Sequence, residues 1–431
     1  MEPIVLLKEI ILDNQEQKLF TGIKRYLSIQ SIPRKATVTI GVRRCGKSTL
    51  LFQKIREMLK QGVDKENILY LNFFDDRLTE IRNNRLSLVL EAYFSLYPQK
   101  KKEKIFCFFD ELQECEGWEP FIDRILRTEN AEVYITGSSA RLLSGEIATQ
   151  MRGRSLSWEL FPFSFKEYLD YHRASYTKLT SNNIYTIKNL FDKYVSTGGF
   201  PEVVDKEDHI RIMILQEYYK AIIHRDIIER FDAIHPKAVM QAAYRLISTV
   251  SVLYSLNRLT EYLKSLGFKL SKEFVSGCIE WFEDAFFLFS VKIYDKSVVR
   301  QNLNAKKIYC VDHGLISAIW PGIAENKGRL LENMVFSHLR QKSHKIYYYR
   351  TKQGFEVDFI LIDERDHKAV IQVCWDMRDQ KTRDREVKVL KQAMTEIGLF
   401  EATIVTYAQE EYIREEGLNI DVLPAWKYFL K

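Results

Sequence analysis

The chain has 431 residues and a net charge of +6, with 46% apolar and 28% charged residues. That composition excludes a disordered or fibrous chain and fits a soluble globular protein of two to four domains. So mild a basic surplus permits contact with nucleic acid without arguing for it, and six dispersed cysteines with no C-x-x-C pair exclude a disulfide framework and a zinc motif.

In chain order, the opening MEPIVLLKEIILDNQ holds a short apolar run interrupted by Lys8 and Glu9, with no small-residue cleavage site after it. It reads poorly as a signal peptide. No uninterrupted apolar run reaches the length that spans a bilayer. The expectation is a cytoplasmic protein with no membrane partner.

The clearest chemistry follows. Residues 36–41, ATVTIG, are a β-branched apolar run, and GVRRCGKS at 41–48 leads into TLLFQKIREMLK. That is strand, glycine loop and helix, the context in which G-x-x-x-x-G-K-[ST] is a phosphate cradle. Gly41 and Gly46 permit a tight turn whose N–H groups point at phosphate oxygens, and the helix adds its positive end. Lys47 is placed to reach the terminal phosphates and Ser48 to ligate Mg2+, while Arg44, Cys45 and Thr49 complete the binding loop. The expected ligands are ATP and Mg2+.

A second apolar run, NILYLNFF at 67–74, precedes KIFCFFDE at 104–111. There Asp110 would hold Mg2+ through water and Glu111 would orient the attacking water; an ordinary acidic strand end is the bland alternative. EVYITGSS at 132–139 is a further strand, whose Ser138 or Ser139 would touch the terminal phosphate or merely cap a helix. In MRGRSLSWELFPFSFKEYL at 151–169, Arg152 or Arg154 is expected as an arginine finger, in cis or from a neighbouring subunit, against the alternative of a structural ion pair. Strands alternating with helices imply a parallel sheet with its site at the strand C-termini.

Residues 166–232 read as helices broken at TGGFP, with 217–231 a packed linker helix. Residues 236–294 have the outline of a helix-turn-helix with a wing. Its helix near 271–284 carries Glu273, Glu280, Glu283 and Asp284 against Lys272. Acidic groups repel phosphates, so a scaffold between domains is favoured over a DNA reader.

The last third holds GRLLENMVFSHLRQ at 328–341, an amphipathic helix carrying Glu332, then a strand at 346–350 and the hairpin GFEVDFILIDERDHKAVIQVCW at 354–375. Many metal-dependent nucleases place an acid on one such strand and Glu-x-Lys on the next. Here the positions are Asp358, Gln372 and Cys374. An amide weakens a Mg2+ cage, and a thiol at its ordinary pKa does not replace lysine. Lys368 starts roughly 13 Å from Gln372 at about 3.3 Å per residue; Lys352, in the turn, is the better substitute. Glu332 and Asp358 are therefore speculative metal ligands of a domain not expected to cut.

GVRRCGKS, FFDELQE, ITGSSARLL, RGRSLSWELFPFSFKEYL, TGGFPEVV and FEVDFI together resemble the prokaryotic AAA-type ATP-binding proteins that carry a C-terminal domain of unknown function. The resemblance runs over nearly the whole chain. It implies an AAA-like ATPase followed by a winged helix and a restriction-endonuclease-like fold, and in outline it is similar to archaeal ATPases held to be regulated switches. The expected fold class is α/β: a parallel-sheet P-loop ATPase domain at 1–165, a helical linker at 166–235, a winged-helix-like domain at 236–310, and a nuclease-like domain at 311–431. The expected function is an ATP-hydrolysing switch controlling its C-terminal domains, with DNA or protein as partner and oligomerisation open. The alternative is an ATP-regulated, metal-dependent DNA nuclease.

Overall fold

The computed structural model describes residues 2–83, 85–138, 151, 153–415 and 417–431. They form two compact units, residues 1–160 and 161–431. No helix among the described residues is long and apolar enough to cross a membrane.

The first unit contains α1 (Pro3–Glu16), β1 (Ala36–Ile40), α2 (Lys47–Lys60), β2 (Ile68–Asn72), β3 (Ile105–Asp110), α3 (Trp118–Thr128), β4 (Ala131–Gly137) and β5 (Ser155–Glu159). The five strands are parallel, in the order β2-β3-β4-β1-β5. ATVTI is buried at every position, as a central strand covered on both faces must be. Leu51, Ile55 and Met58, spaced on one face of α2, pack on Ile68, Tyr70, Phe108 and Tyr134. Burying each such leucine or isoleucine contributes about 1.5–3 kcal/mol. Because β1 lies between β4 and β5, far from β2, the chain leaves β1 for the sheet edge and works back. The ends of β1, β3 and β4 thus open into one crevice.

β5 is an element that the emphasis on Arg152 and Arg154 missed. Its alternation, Ser-Leu-Ser-Trp-Glu, pairs in register with β1 from Ala36↔Ser155 to Ile40↔Glu159.

The second unit begins with α4 (Phe165–Tyr171), started by a capping box between Ser164 and Glu167. Next come α5 (Ser181–Thr197), α6 (Asp208–Ala221), α7 (Pro236–Ile247), β6 (Leu253–Tyr254), α8 (Leu256–Ser265), α9 (Lys272–Asp284), β7 (Leu288–Ile293) and β8 (Lys306–Cys310). The helix expected over 217–231 divides: α6 ends at Ala221 and a π-helix runs from Ile222 to Glu229. α10 (Lys327–Arg340), β9 (Ile346–Arg350), β10 (Glu356–Ile362), β11 (Lys368–Cys374), α11 (Gln380–Ile397), β12 (Glu401–Thr406), β13 (Glu411–Glu415) and β14 (Leu418–Pro424) complete it. Val387, Leu390, Ala393 and Met394 of α11 pack on Ile360, Val370, Ile404 and Ile420 of the sheet.

One nine-stranded mixed sheet, β13-β14-β12-β11-β10-β9-β7-β8-β6, runs through this unit. Strands from 236–310 and from 311–431 therefore share a sheet, joined where β7 pairs in parallel with β9. That joint brings β8 toward the face of the 354–375 hairpin.

Candidate functional site

The glycine loop leaves β1 and feeds α2. A Cβ on Gly41 would run into the carbonyl oxygen of Leu160, so only glycine fits there. Gly46, with φ 103°, turns the chain into the helix. Cys45 is buried under the loop, and burial raises its thiol pKa, so it packs as a small apolar group. Arg44 stands exposed in the left-handed region at φ 68°. Thr49 packs against the segment before the sheet, where a Cβ on Gly22 would lie 3.3 Å from its methyl.

Lys47 is buried, its Nζ donating to the carbonyls of Gly41 at 3.2 Å and Val42 at 3.3 Å, with Glu111 Oε1 3.6 Å away. Asp110 ends β3 with no solvent exposure. Burial raises its pKa, and Glu111 adds to that; hydrogen bonds from Ser48 and Thr136 and the charge on Lys47 pull the other way. Tyr70 on β2 donates to Asp110 Oδ2 at 3.1 Å. Thr136 on β4 donates to Asp110 Oδ1 and accepts from the Glu111 N–H at 3.0 Å. The second bond holds Glu111 in the left-handed region at φ 54°. Gln113 Nε2 donates to Glu111 Oε2 at 2.6 Å, fixing the far side of that carboxylate.

The structure thus brings together Gly41, Gly46, Lys47, Ser48, Asp110 and Glu111. Ser138 is buried just beyond β4; Ser139 and Arg152 lie outside the described residues. Arg154 is in an ion pair, Nη1 to Asp123 Oδ1 of α3 at 3.0 Å, which is the structural alternative to a finger. Tyr70, Thr136, Gln113 and Arg25 were missed from sequence. Arg25, 6% exposed, donates from Nη1 to the Cys45 carbonyl at 2.6 Å, holding the loop from 20 positions away in the chain. Thr136 had a signal: it lies in the quoted ITGSS, one register step across from Asp110.

At the hairpin, Glu332 on α10 and Asp358 on β10 do converge. Between them sits Lys307 of β8, 1% exposed, its Nζ 2.9 Å from Glu332 Oε1, 2.8 Å from Asp358 Oδ1 and 2.8 Å from Glu356 Oε1. Burial opposes the lysine's charge, but Asp358 and Glu332 outweigh it and raise its pKa well above the ordinary value. Burial, then the charge of Asp358, raise the Glu332 carboxyl. Gln372 turns away: its Oε1 accepts from the Asp358 N–H at 3.2 Å and its Nε2 donates to Glu386 at 2.9 Å. Burial also raises the Cys374 thiol, to about 11, so it stays neutral. Of the two lysines weighed from the sequence, Lys368 has its Nζ over the ring of Tyr294 and Lys352 is exposed in its turn. Lys307 had a faint signal, a lysine sharing the inward face of KKIYC with Tyr309.

A glycine loop between strand and helix, with an acidic pair ending the next strand but one of a parallel 2-3-4-1-5 sheet, defines a P-loop domain of AAA type. Comparison with known proteins bears this out: residues 33–169 match an AAA domain, residues 188–326 a domain of unknown function (DUF8612), and residues 327–428 a second domain of unknown function (DUF4143). An uncharacterized protein of Methanocaldococcus jannaschii is 32% identical over 99% of this chain and 95% of its own length. Another uncharacterized protein, from Haemophilus influenzae, is 28% identical over 90% of this chain and 93% of its own. The chain belongs to this family of AAA-type P-loop proteins with C-terminal domains of unknown function. Among solved structures, the Aeropyrum pernix ORC1 protein in complex with DNA aligns over 75% of this chain and 93% of that one, at 13% identity and a TM-score of 0.31. Cdc6p from Pyrobaculum aerophilum aligns over the same shares at 15% identity and a TM-score of 0.26. Likeness at that level says nothing of what this chain binds.

Proposed function

We propose that the chain binds and hydrolyses ATP and uses the cycle as a switch on its C-terminal unit. The observation that carries this is the network joining Ser48, Asp110, Thr136, Glu111 and Lys47 at the ends of β1, β3 and β4. A Mg2+ ion fits there: the donors on the fully buried Asp110 are the neutral hydroxyls of Ser48, Thr136 and Tyr70, so a divalent cation supplies what the carboxylate lacks. Ser48 and Asp110 would hold it, and when bound it spreads the charge of the phosphate oxygens.

The residues of the chain do the rest. Amides of 41–48 and the start of α2 receive the phosphates. Lys47 exchanges its two backbone carbonyls and Glu111 for phosphate oxygens. Glu111, freed on that side and held by Gln113 and by its own N–H on Thr136, orients the attacking water and takes its proton. The water oxygen bonds to the terminal phosphorus as the bond to the bridging oxygen breaks, and ADP leaves.

Phosphate release by wild type, Lys47→Ala and Glu111→Gln is the test. Wild type is expected to turn over, Lys47→Ala to lose nucleotide binding, and Glu111→Gln to bind without turnover. Equal turnover by all three rules the proposal out. The second reading, an ATP-regulated nuclease, has the convergence of Glu332 and Asp358 in its favour. Cleavage of labelled DNA with Mg2+ or Mn2+, abolished in Asp358→Ala, would establish it.

A further inference from the structure

We propose that Lys307 is a built-in cation standing where a nuclease of this arrangement would hold its divalent metal, so that the C-terminal site takes no metal ion. This is independent of the ATP reading.

The argument begins with the number of ligands. An ammonium has three protons, and all three have a carboxylate: Asp358 and Glu356 at 2.8 Å and Glu332 at 2.9 Å. Glu356 and Asp358 are two apart on β10 and share a face. The register of β10 against β9 shifts between Val357 and Ile360, the kind of irregularity that re-aims a side chain. The three acids thus reach one point from α10 and β10, and the lysine meets them there from β8.

Next come the oxygens. Magnesium needs about six oxygens at roughly 2.1 Å and a divalent cation is held mainly by anionic ones. Glu332 Oε1 already accepts from Lys307 and, at 2.7 Å, from the Tyr309 hydroxyl. Asp358 Oδ1 takes Lys307, and its Oδ2 accepts from the Val373 N–H at 2.9 Å. Gln372 Oε1, the remaining ligand such a site would use, accepts from the Asp358 N–H. A lysine serving beside a metal would engage one carboxylate and leave the others open. Lys307 engages all three, on a stem with 1% exposure.

Its second consequence is mechanical. The ion cluster ties β8, α10 and β10 together, replacing with a covalently fixed charge the staple a metal would provide. A cation held this way does not come and go with chelation.

The test uses the full chain without nucleotide, followed by thermal unfolding with EDTA or with millimolar MnCl2. Wild type and Asp358→Asn are expected to respond to Mn2+ alike, any shift they share arising at Asp110 of the first unit. Lys307→Met, which leaves three carboxylates facing one another, is expected to melt lower in EDTA and to recover with Mn2+, since binding to the folded state alone stabilises it. The double variant Lys307→Met/Asp358→Asn is expected to lose the recovery. Lys307→Gln serves where the methionine variant is insoluble, and solubility regained only with Mn2+ counts as the same support. Two results overturn the proposal: a Mn2+-dependent rise in the wild-type melting temperature that disappears in Asp358→Asn, or a folded Lys307 variant that gains no more from Mn2+ than wild type does.

Discussion

Thr136→Val isolates the part of the nucleotide site that positions its acids. Valine keeps the shape of threonine and removes the hydroxyl. Thr136 has no solvent exposure, and its oxygen serves two partners: it donates to Asp110 and accepts from the Glu111 N–H at 3.0 Å. No water replaces it at full burial. Leaving the Glu111 N–H unpaired costs about 1–3 kcal/mol, and Asp110 loses one bond to its charge while keeping those from Ser48 and Tyr70, so roughly 2–4 kcal/mol is expected for the pair. For a unit of this size each kcal/mol moves the melting temperature by about 2–4 °C, which predicts a fall of about 4–16 °C in the transition of residues 1–160. The catalytic effect follows from φ at Glu111. A left-handed backbone at a residue with a Cβ costs about 1–2 kcal/mol, and the bond to Thr136 opposes its relaxation. Once released, the carboxylate shifts, and a misplacement of about 1 Å costs up to 10²-fold. The turnover rate should fall roughly 10- to 100-fold while KM for ATP, set by the loop amides and Lys47, changes little. Thr136→Ser should stay near wild type in both. A valine variant with unchanged melting and unchanged turnover would refute the reasoning.

Gln113→Leu removes the 2.6 Å bond to Glu111 Oε2; turnover should drop about tenfold, equivalent to ~1.4 kcal/mol of barrier, with KM unchanged in the same phosphate-release assay. Gly198→Ala places a Cβ at φ 82° against the Asp312 carboxylate and 2.8 Å from Gly314 Cα, so about 3 kcal/mol or more of stability should be lost, read by denaturant unfolding. His338, packed on the rings of Tyr428 and Phe429, has its pKa lowered well below 6.5 by burial and by the charges of Lys342 and Lys166. The folded form therefore keeps it neutral while the unfolded chain protonates it, so stability is full above pH 6.5 and falls below it, by up to about 1.4 kcal/mol per pH unit. His338→Gln should flatten that acid limb in denaturant titrations.

What was legible in the sequence was what is local. GVRRCGKS announces itself because strand, loop and helix are contiguous, and Asp110 with Glu111 because an apolar run points at them. Distance along the chain hid the rest. TGGFP reads only as a turn, yet its glycines answer distant contacts: a Cβ on Gly198 would meet Gly314, one on Gly199 would meet the carbonyl oxygen of Phe163, and the Gly199 N–H donates to Asp312 at 2.7 Å. For Arg154 the sequence left a finger and a structural ion pair both open, and only the fold shows Asp123 of α3 beside it. Lys307 lies 25 residues before Glu332 and 51 before Asp358. No spacing rule links a lysine on one strand to acids on another unless the pairing of β7 with β9 is known.

The two acidic sites obey one rule with opposite results. A buried carboxylate left without a cation is strongly destabilising. Asp110 meets that requirement with three neutral hydroxyls and the charge of Lys47 nearby; in the proposed cycle Lys47 turns to the phosphates, and a cation from solution would complete the carboxylate and could leave again. Glu332, Asp358 and Glu356 meet it with an ammonium that the backbone delivers and never releases. The first arrangement makes occupancy a variable, which a switch needs. The second makes it a constant, as a structural staple requires. The same chain would thus reserve its exchangeable charge for the nucleotide and fix the other in place, and exchanging Lys307 for a neutral residue is the substitution that turns the second kind of site into the first.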